Sequence, residues 1–178
     1  MKKTLLLAVA ALLVSGTAAA QHGGKHCGNC PNHAKHQAQR STELQYNADG
    51  VELTIVRAFP TVKSVNKTDK WTEVYDANKK LLGYAVYSKP ASDGIKGYAG
   101  ETPVLVALTP QKVIAGVYLL PNLETPKFEQ RVAQSGYYNS WNGLTIKKAL
   151  KKEVDAVSGA TMTSTAVAKS VRAALEKL

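Results

Sequence analysis

Val167, Ala168, Val171, Ala174, Leu175 and Leu178 recur at i, i+1, i+4, i+7, i+8 and i+11. That spacing draws one apolar stripe along a helix, and a helix with one such stripe is stable only against a second apolar surface. Lys169, Arg172, Glu176 and Lys177 lie off the stripe. Thr163 or Ser164 stands where a cap for its start is needed. Shorter runs upstream supply the receiving surface. Residues 71–75 alternate large and polar side chains, residues 81–87 are mostly apolar, and Asp76-Ala77-Asn78-Lys79-Lys80 lies between them. This reads as a β-hairpin. Residues 103–108 and 113–120 form a second strand pair around Thr109-Pro110-Gln111-Lys112. Residues 124–134 read as a short helix with Pro126 near its first turn. Residues 136–143 read as an aromatic loop. Val51, Leu53, Ile55, Val56 and Phe59 in residues 49–59 fit helix and strand equally. The expected fold is α+β: a mostly antiparallel sheet with packed helices, ending in the amphipathic C-terminal helix. A chain of 178 residues with 44% hydrophobic content supports one domain with one core.

The first twenty residues stand apart from that core. Lys2 and Lys3 precede an unbroken apolar run of ten residues, 5–14. Ala18-Ala19-Ala20 then offers the small-x-small pattern of a cleavage site. The run is shorter than the roughly 20 residues of a membrane-spanning helix. Residues 1–20 therefore read as a signal peptide, and the mature chain is expected on the periplasmic or extracellular side of the membrane. Without Lys2 and Lys3, 21 basic residues face 13 acidic ones, a net charge of +8. The lysines are scattered, with only short pairs such as Lys79-Lys80, Lys147-Lys148 and Lys151-Lys152. That distribution argues against a nucleic-acid interface and suits peripheral contact with an anionic membrane or acidic redox partners.

Residues 21–45 form a polar segment holding all four histidines and both cysteines, and the folded domain is expected to span 46–178. Cys27-Gly28-Asn29-Cys30 is not a c-type haem site, because Pro31 stands where the histidine is needed. Three readings remain open. The pair can form a local disulfide in an oxidising compartment. Cys27, Cys30, His26 and His33 offer the ligand types of a metal site, zinc for instance. Thiol exchange is the third. No histidine lies beyond this segment, so the domain offers no imidazole base for a hydrolase.

Residues 155–164, Asp155-Ala156-Val157-Ser158-Gly159-Ala160-Thr161-Met162-Thr163-Ser164, carry the most chemical information. They form a small-residue loop running into a helix start. Gly159 and Ala160 let backbone N–H groups approach an anion. The helix start adds unpaired donors and the positive end of a dipole. Ser158, Thr161, Thr163 and Ser164 add hydroxyls. Such a place suits a phosphate group, and equally a helix that is simply capped.

In register, Asp155, Ser158, Gly159, Ala160 and Thr161 resemble the flavinylation motif of the FMN-binding domain family. That family includes the flavin-carrying C subunit of the sodium-translocating NADH:quinone oxidoreductase and the G subunit of the Rnf complex. Gly97-Tyr98-Ala99-Gly100 before the 103–108 strand, the 113–119 strand, and Glu124-Thr125-Pro126-Lys127 resemble further family segments in the same order. The resemblance covers residues 69–178. It implies covalent FMN joined to Thr161 by a phosphoester, made by a separate Mg-dependent flavin transferase with FAD as donor. It also implies that Glu124 and Thr125 lie near the flavin, and that the chain is an electron-transfer carrier in a membrane-associated respiratory chain. On this reading the protein is the substrate of an enzyme rather than a catalyst, and its redox partners are unidentified. Tyr98, Tyr137, Tyr138 and Trp141 are candidates for stacking on the ring, or ordinary core residues. The family's membrane-complex subunits carry an N-terminal membrane helix where this chain has a segment that reads as a cleavable leader. A second functional reading, from another class, is a periplasmic metal-binding protein acting through the 21–45 segment.

Cleavage is expected between Ala20 and Gln21, since Ala18 and Ala20 supply the small residues. N-terminal sequencing of exported protein checks this, and a retained Met1 in mature material would contradict it.

Overall fold

The computed structural model describes residues 41–178. The leader and the Cys27, Cys30, His26 and His33 group lie outside the described residues. In chain order the elements are α1 (Leu53–Ala58), β1 (Ser64–Lys67), β2 (Thr72–Tyr75), β3 (Leu81–Tyr87), β4 (Val104–Leu108), β5 (Ile114–Leu119), α2 (Pro126–Gln134), a 3-10 helix (Tyr137–Trp141), α3 (Ile146–Lys151) and α4 (Thr161–Leu175). The strands form one antiparallel sheet in sequence order, β1-β2-β3-β4-β5. Among the described residues no helix is long and apolar enough to cross a membrane.

β4 explains the layering. All five of its residues are buried. Val104, Val106 and Leu108 join Val86, Ile114, Val167, Val171, Ala174 and Leu175 in one cluster. Leu105 and Ala107, on the opposite face of the pleat, join Val51, Ile55, Phe59, Val74 and Ala85 in another. The strand is covered on both sides, so its sequence is continuously apolar rather than alternating. Burial of each such Val or Leu stabilises the fold by roughly 1.5–3 kcal/mol. The expected stripe on α4 is the face that covers the first side.

The segment that fitted helix and strand equally forms α1. The segment's buried apolar residues are Val51, Ile55 and Phe59, a spacing of four, while Leu53 is 44% exposed. The 76–80 turn forms as expected, because Asp76 Oδ1 accepts from the N–H groups of Asn78 at 2.8 Å and Lys80 at 2.9 Å. In the second turn Thr109 Oγ1 accepts from Val113 N–H at 3.2 Å.

Four features differ from the sequence reading. β1 is an additional strand, Ser-Val-Asn-Lys, exposed along its length at the sheet edge. Residues 136–143 are not a loop: Tyr137 and Trp141 turn inward and meet edge to face at 5.4 Å, forming the 3-10 helix. α3 is a short lysine-rich helix capped by Thr145. Finally, α4 begins at Thr161, with Ala160 at its N-cap and no side-chain cap. Thr163 and Ser164 thus lie inside the helix and do not cap it.

Gly83 in β3 has no room for a side chain. A Cβ there would fall on the carbonyl oxygen of Leu108 and stand 2.9 Å from Phe59 Cε1. Gly83→Ala is expected to cost about 1–3 kcal/mol, read as a lower midpoint in urea unfolding. An unchanged midpoint would contradict this account of the β3–β4 contact.

Candidate functional site

The site is assembled from three chain segments that meet at the first turn of α4. The 157–160 segment is a tight turn, closed by Ala160 N–H donating to Val157 O at 2.9 Å. Gly159 has φ +73, in the left-handed region that favours glycine. Ser164 fastens this turn to the helix. Its Oγ accepts from Val157 N–H at 3.0 Å and donates to Ala160 O at 3.0 Å. Tyr137 adds a clamp from the core, its hydroxyl donating to Ser164 O at 2.9 Å.

The second segment is the 97–100 turn, closed by Gly97 N–H donating to Gly100 O at 2.8 Å. Its anchor is Glu124, which is 1% exposed. The Glu124 carboxylate accepts from the N–H groups of Tyr98 at 2.7 Å, Ala99 at 3.0 Å and Thr125 at 2.7 Å. Gly97 is wedged between this carboxylate and α4: a Cβ would overlap Glu124 Oε2 and lie 3.2 Å from Thr163 Cα. The third segment is the start of α2, with Thr125 at its N-cap and Pro126 in its first turn.

Together they enclose a cleft of about 120 Å³ lined by Tyr98, Phe128, Gly159, Ala160, Thr161, Met162 and Thr163. Tyr98 and Phe128 meet edge to face at 4.8 Å. Tyr98 is 63% and Met162 58% exposed, so large apolar groups flank the opening. Thr163 Oγ1 is fully buried in the lining and has no hydrogen-bond partner among the described residues. Thr161, the first residue of α4, is exposed, as is Ser158. The first helical N–H with an acceptor behind it is that of Ser164, at 2.9 Å from Ala160 O. The N–H groups of Thr161, Met162 and Thr163 precede it and have no acceptor within the helix. Free amides, an exposed hydroxyl and an apolar flank suit a phosphate joined to an apolar group.

A larger hollow of about 810 Å³ runs along β5 past Arg57, Tyr118 and Tyr138. It shares no lining residue with the cleft, and residues 155–164 take no part in it.

The candidates therefore divide. Thr161, Gly159, Ala160, Thr163 and Tyr98 come together in the cleft lining. Ser158 is exposed within the tight turn, and Asp155 is exposed outside the lining. Ser164 is a brace with its hydroxyl already engaged. Glu124 and Thr125 position the 97–100 turn rather than line the cleft. Tyr137 and Trp141 are core residues, 5% and 2% exposed, and Tyr138 lines the other hollow. Sequence reasoning missed Phe128, Met162 and Arg131. The Arg131 guanidinium lies over Gly159: a Cβ at that glycine would fall on Nη1 and stand 3.1 Å from Cζ. Phe128 and Arg131 are three apart on α2 and so share a face, which is legible once that face is known to look at the 157–160 turn.

Residues 97–176 match the model of the FMN-binding domain family. The chain is 30% identical over 125 residues to the G subunit of the Na(+)-translocating ferredoxin:NAD(+) oxidoreductase complex of Acetobacterium woodii, covering 63% of this chain and 58% of that protein. It is 28% identical over 148 residues to the G subunit of the proton-translocating ferredoxin:NAD(+) oxidoreductase complex of Clostridium ljungdahlii, covering 79% and 75%. Among solved structures, the crystal structure of Shewanella oneidensis NqrC aligns with a TM-score of 0.42 and 20% identity over 82% of each chain.

Glu124→Gln keeps the shape of the side chain but replaces an accepting oxygen with a donor, so at least one of the three N–H groups loses its partner. The expected cost is about 1.5–3 kcal/mol, with faster hydrogen exchange at the Tyr98 and Ala99 amides. Wild-type unfolding and exchange in this variant would show that Glu124 does not hold the turn.

Proposed function

We propose, from the membership of residues 97–176 in the FMN-binding domain family, that this FMN-binding protein is an exported electron carrier holding its cofactor by a phosphoester on Thr161. The observation that carries the reading is the setting of Thr161. Its hydroxyl is exposed at the start of a 15-residue helix, beside a cleft whose buried Thr163 hydroxyl lacks a partner among the described residues. The chain's residues fit the cofactor. The N–H groups of Thr161, Met162 and Thr163 would hold a phosphate, and the dipole of α4 favours its charge. Tyr98, Phe128 and Met162 offer a ring a polarizable apolar seat. The missing side chain of Gly159 leaves room for the Arg131 guanidinium over the turn.

In the attachment step Thr161 Oγ1 forms a bond to the flavin-side phosphorus of FAD. The pyrophosphate P–O bond breaks, AMP leaves, and the hydroxyl proton passes to the transferase or solvent. The bound isoalloxazine then supplies one- and two-electron chemistry, while the protein sets its position and surroundings. The cleft is far smaller than the roughly 300–1,000 Å³ of a site that engulfs a ligand. A ring held there would stay mostly outside it, within reach of a redox partner. A covalent link also suits export, because a cofactor held only by equilibrium binding is lost on dilution. The relatives' subunit names make membrane-bound redox complexes the natural class of partner.

With a flavin transferase co-expressed, Thr161→Ala is expected to abolish flavin fluorescence on a denaturing gel while leaving the unfolding midpoint near wild type, because Thr161 is exposed. Thr161→Ser should retain part of the label. Thr163→Ala should keep it, since that hydroxyl faces the cleft without being the acceptor. A fluorescent Thr161→Ala band would sink the assignment. Wild type that binds FMN only reversibly would leave the domain reading standing without the covalent link.

A further inference from the structure

We infer that Arg131 is a phosphate-binding residue of this site, its guanidinium receiving the phosphate that joins the flavin to Thr161; the inference rests on the covalent reading above. Arg131 is exposed, yet its guanidinium lies against the 157–160 turn. A Cβ on Gly159 would fall on its Nη1 and stand 3.1 Å from Cζ and 3.6 Å from Cδ, so the side chain lies along the turn that ends at Thr161. It reaches there from α2, three residues beyond Phe128, which lines the cleft.

The guanidinium carries five N–H donors in a planar fork that matches phosphate oxygens two at a time. Among the described residues the ion pairs are Lys63–Asp49, Lys89–Asp93 and Lys89–Glu101; the Arg131 backbone carbonyl accepts from Ser135 N–H, but its guanidinium takes part in none of these pairs. A long cationic side chain ordered over a bare glycine, with no acidic partner among those residues, fits an anion that arrives from outside. A phosphodiester on Thr161 is such an anion. It carries one negative charge and two free oxygens, and it would sit between this fork and the unpaired N–H groups of residues 161–163. Gly159 thus serves twice: its φ of +73 makes the turn, and its missing side chain leaves room for the arginine.

The test uses the full chain with a flavin transferase, FAD and Mg²⁺. Arg131→Met keeps the aliphatic cover over Gly159 and removes the charge; Arg131→Lys keeps a charge without the fork. Initial labelling rates are compared, together with unfolding of the unlabelled proteins and fluorescence anisotropy of the attached flavin. Arg131→Met is expected to label roughly tenfold to a hundredfold more slowly than wild type. Its residual label should tumble more freely, and its unlabelled form should unfold with wild type. Arg131→Lys should recover part of the rate. Equal rates for wild type and Arg131→Met would overturn the inference while leaving Thr161 as acceptor. Equal loss in the Met and Lys variants, with a lower unfolding midpoint in both, would mark a packing role and overturn it too. If wild type takes no covalent flavin, the reading of Thr161 fails by itself. Reversible binding of free FMN, followed by flavin fluorescence quenching, then decides: weaker binding by Arg131→Met supports Arg131, and equal binding overturns it.

Discussion

Glu124 accepts three backbone N–H groups while 1% exposed, and the geometry of the cleft depends on that carboxylate. A buried charge is costly unless its oxygens are satisfied, so the arrangement is self-consistent only when the 97–100 turn and the start of α2 close on it together. Gly97 makes the closure possible, since a side chain there would collide with both Glu124 and the backbone of α4. Through this contact Tyr98 is delivered to Phe128, and both to the first turn of α4. One carboxylate so far inside the fold fixes a surface site it does not itself line.

The same economy governs α4. Its apolar stripe covers the sheet face made by Val104, Val106 and Leu108, which fixes the direction of the helix axis and therefore where its N-terminus emerges. Ser164, Ala166, Val167 and Ser170 are buried, while Thr161 and Met162 at the leading end are exposed. Ser164 returns the 157–160 turn to the helix, and Tyr137 ties that point to the core. On the proposed reading, the Thr161 hydroxyl is presented on this foundation at a defined position, as a separate modifying enzyme would require.

Where the sequence is legible, a period and a turn signal agree. The two hairpins, the Pro126 helix and the C-terminal stripe have both. Where it is not, one signal is missing or misleading. β1 is too polar to announce a strand, as an exposed edge has no apolar face to bury. α3 is short and lysine-rich, supported by its Thr145 cap rather than by a long stripe. The aromatic 136–143 segment resembles a loop because the Tyr137–Trp141 contact, four residues apart, is buried by tertiary packing. Thr163 and Ser164 resemble caps because hydroxyls favour that position, yet the helix starts two residues earlier, after Ala160. In the site, the small-residue loop and Thr161 are readable as local pattern. Glu124, expected beside the flavin, anchors the 97–100 turn, a role that only the folded structure makes visible. Arg131 is invisible in the sequence because only the packing of α2 against the 157–160 turn brings it there.

These constraints describe a scaffold that exposes one hydroxyl, three amides without an acceptor in the helix and an apolar seat, which is the equipment that the proposed FMN carrier calls for. The most direct measurement is peptide mapping of wild-type protein co-expressed with a flavin transferase, acid-precipitated, digested and sequenced by tandem mass spectrometry. The account predicts a single flavin-bearing peptide with the modification on Thr161. Flavin on any other residue, or none surviving precipitation, would contradict it.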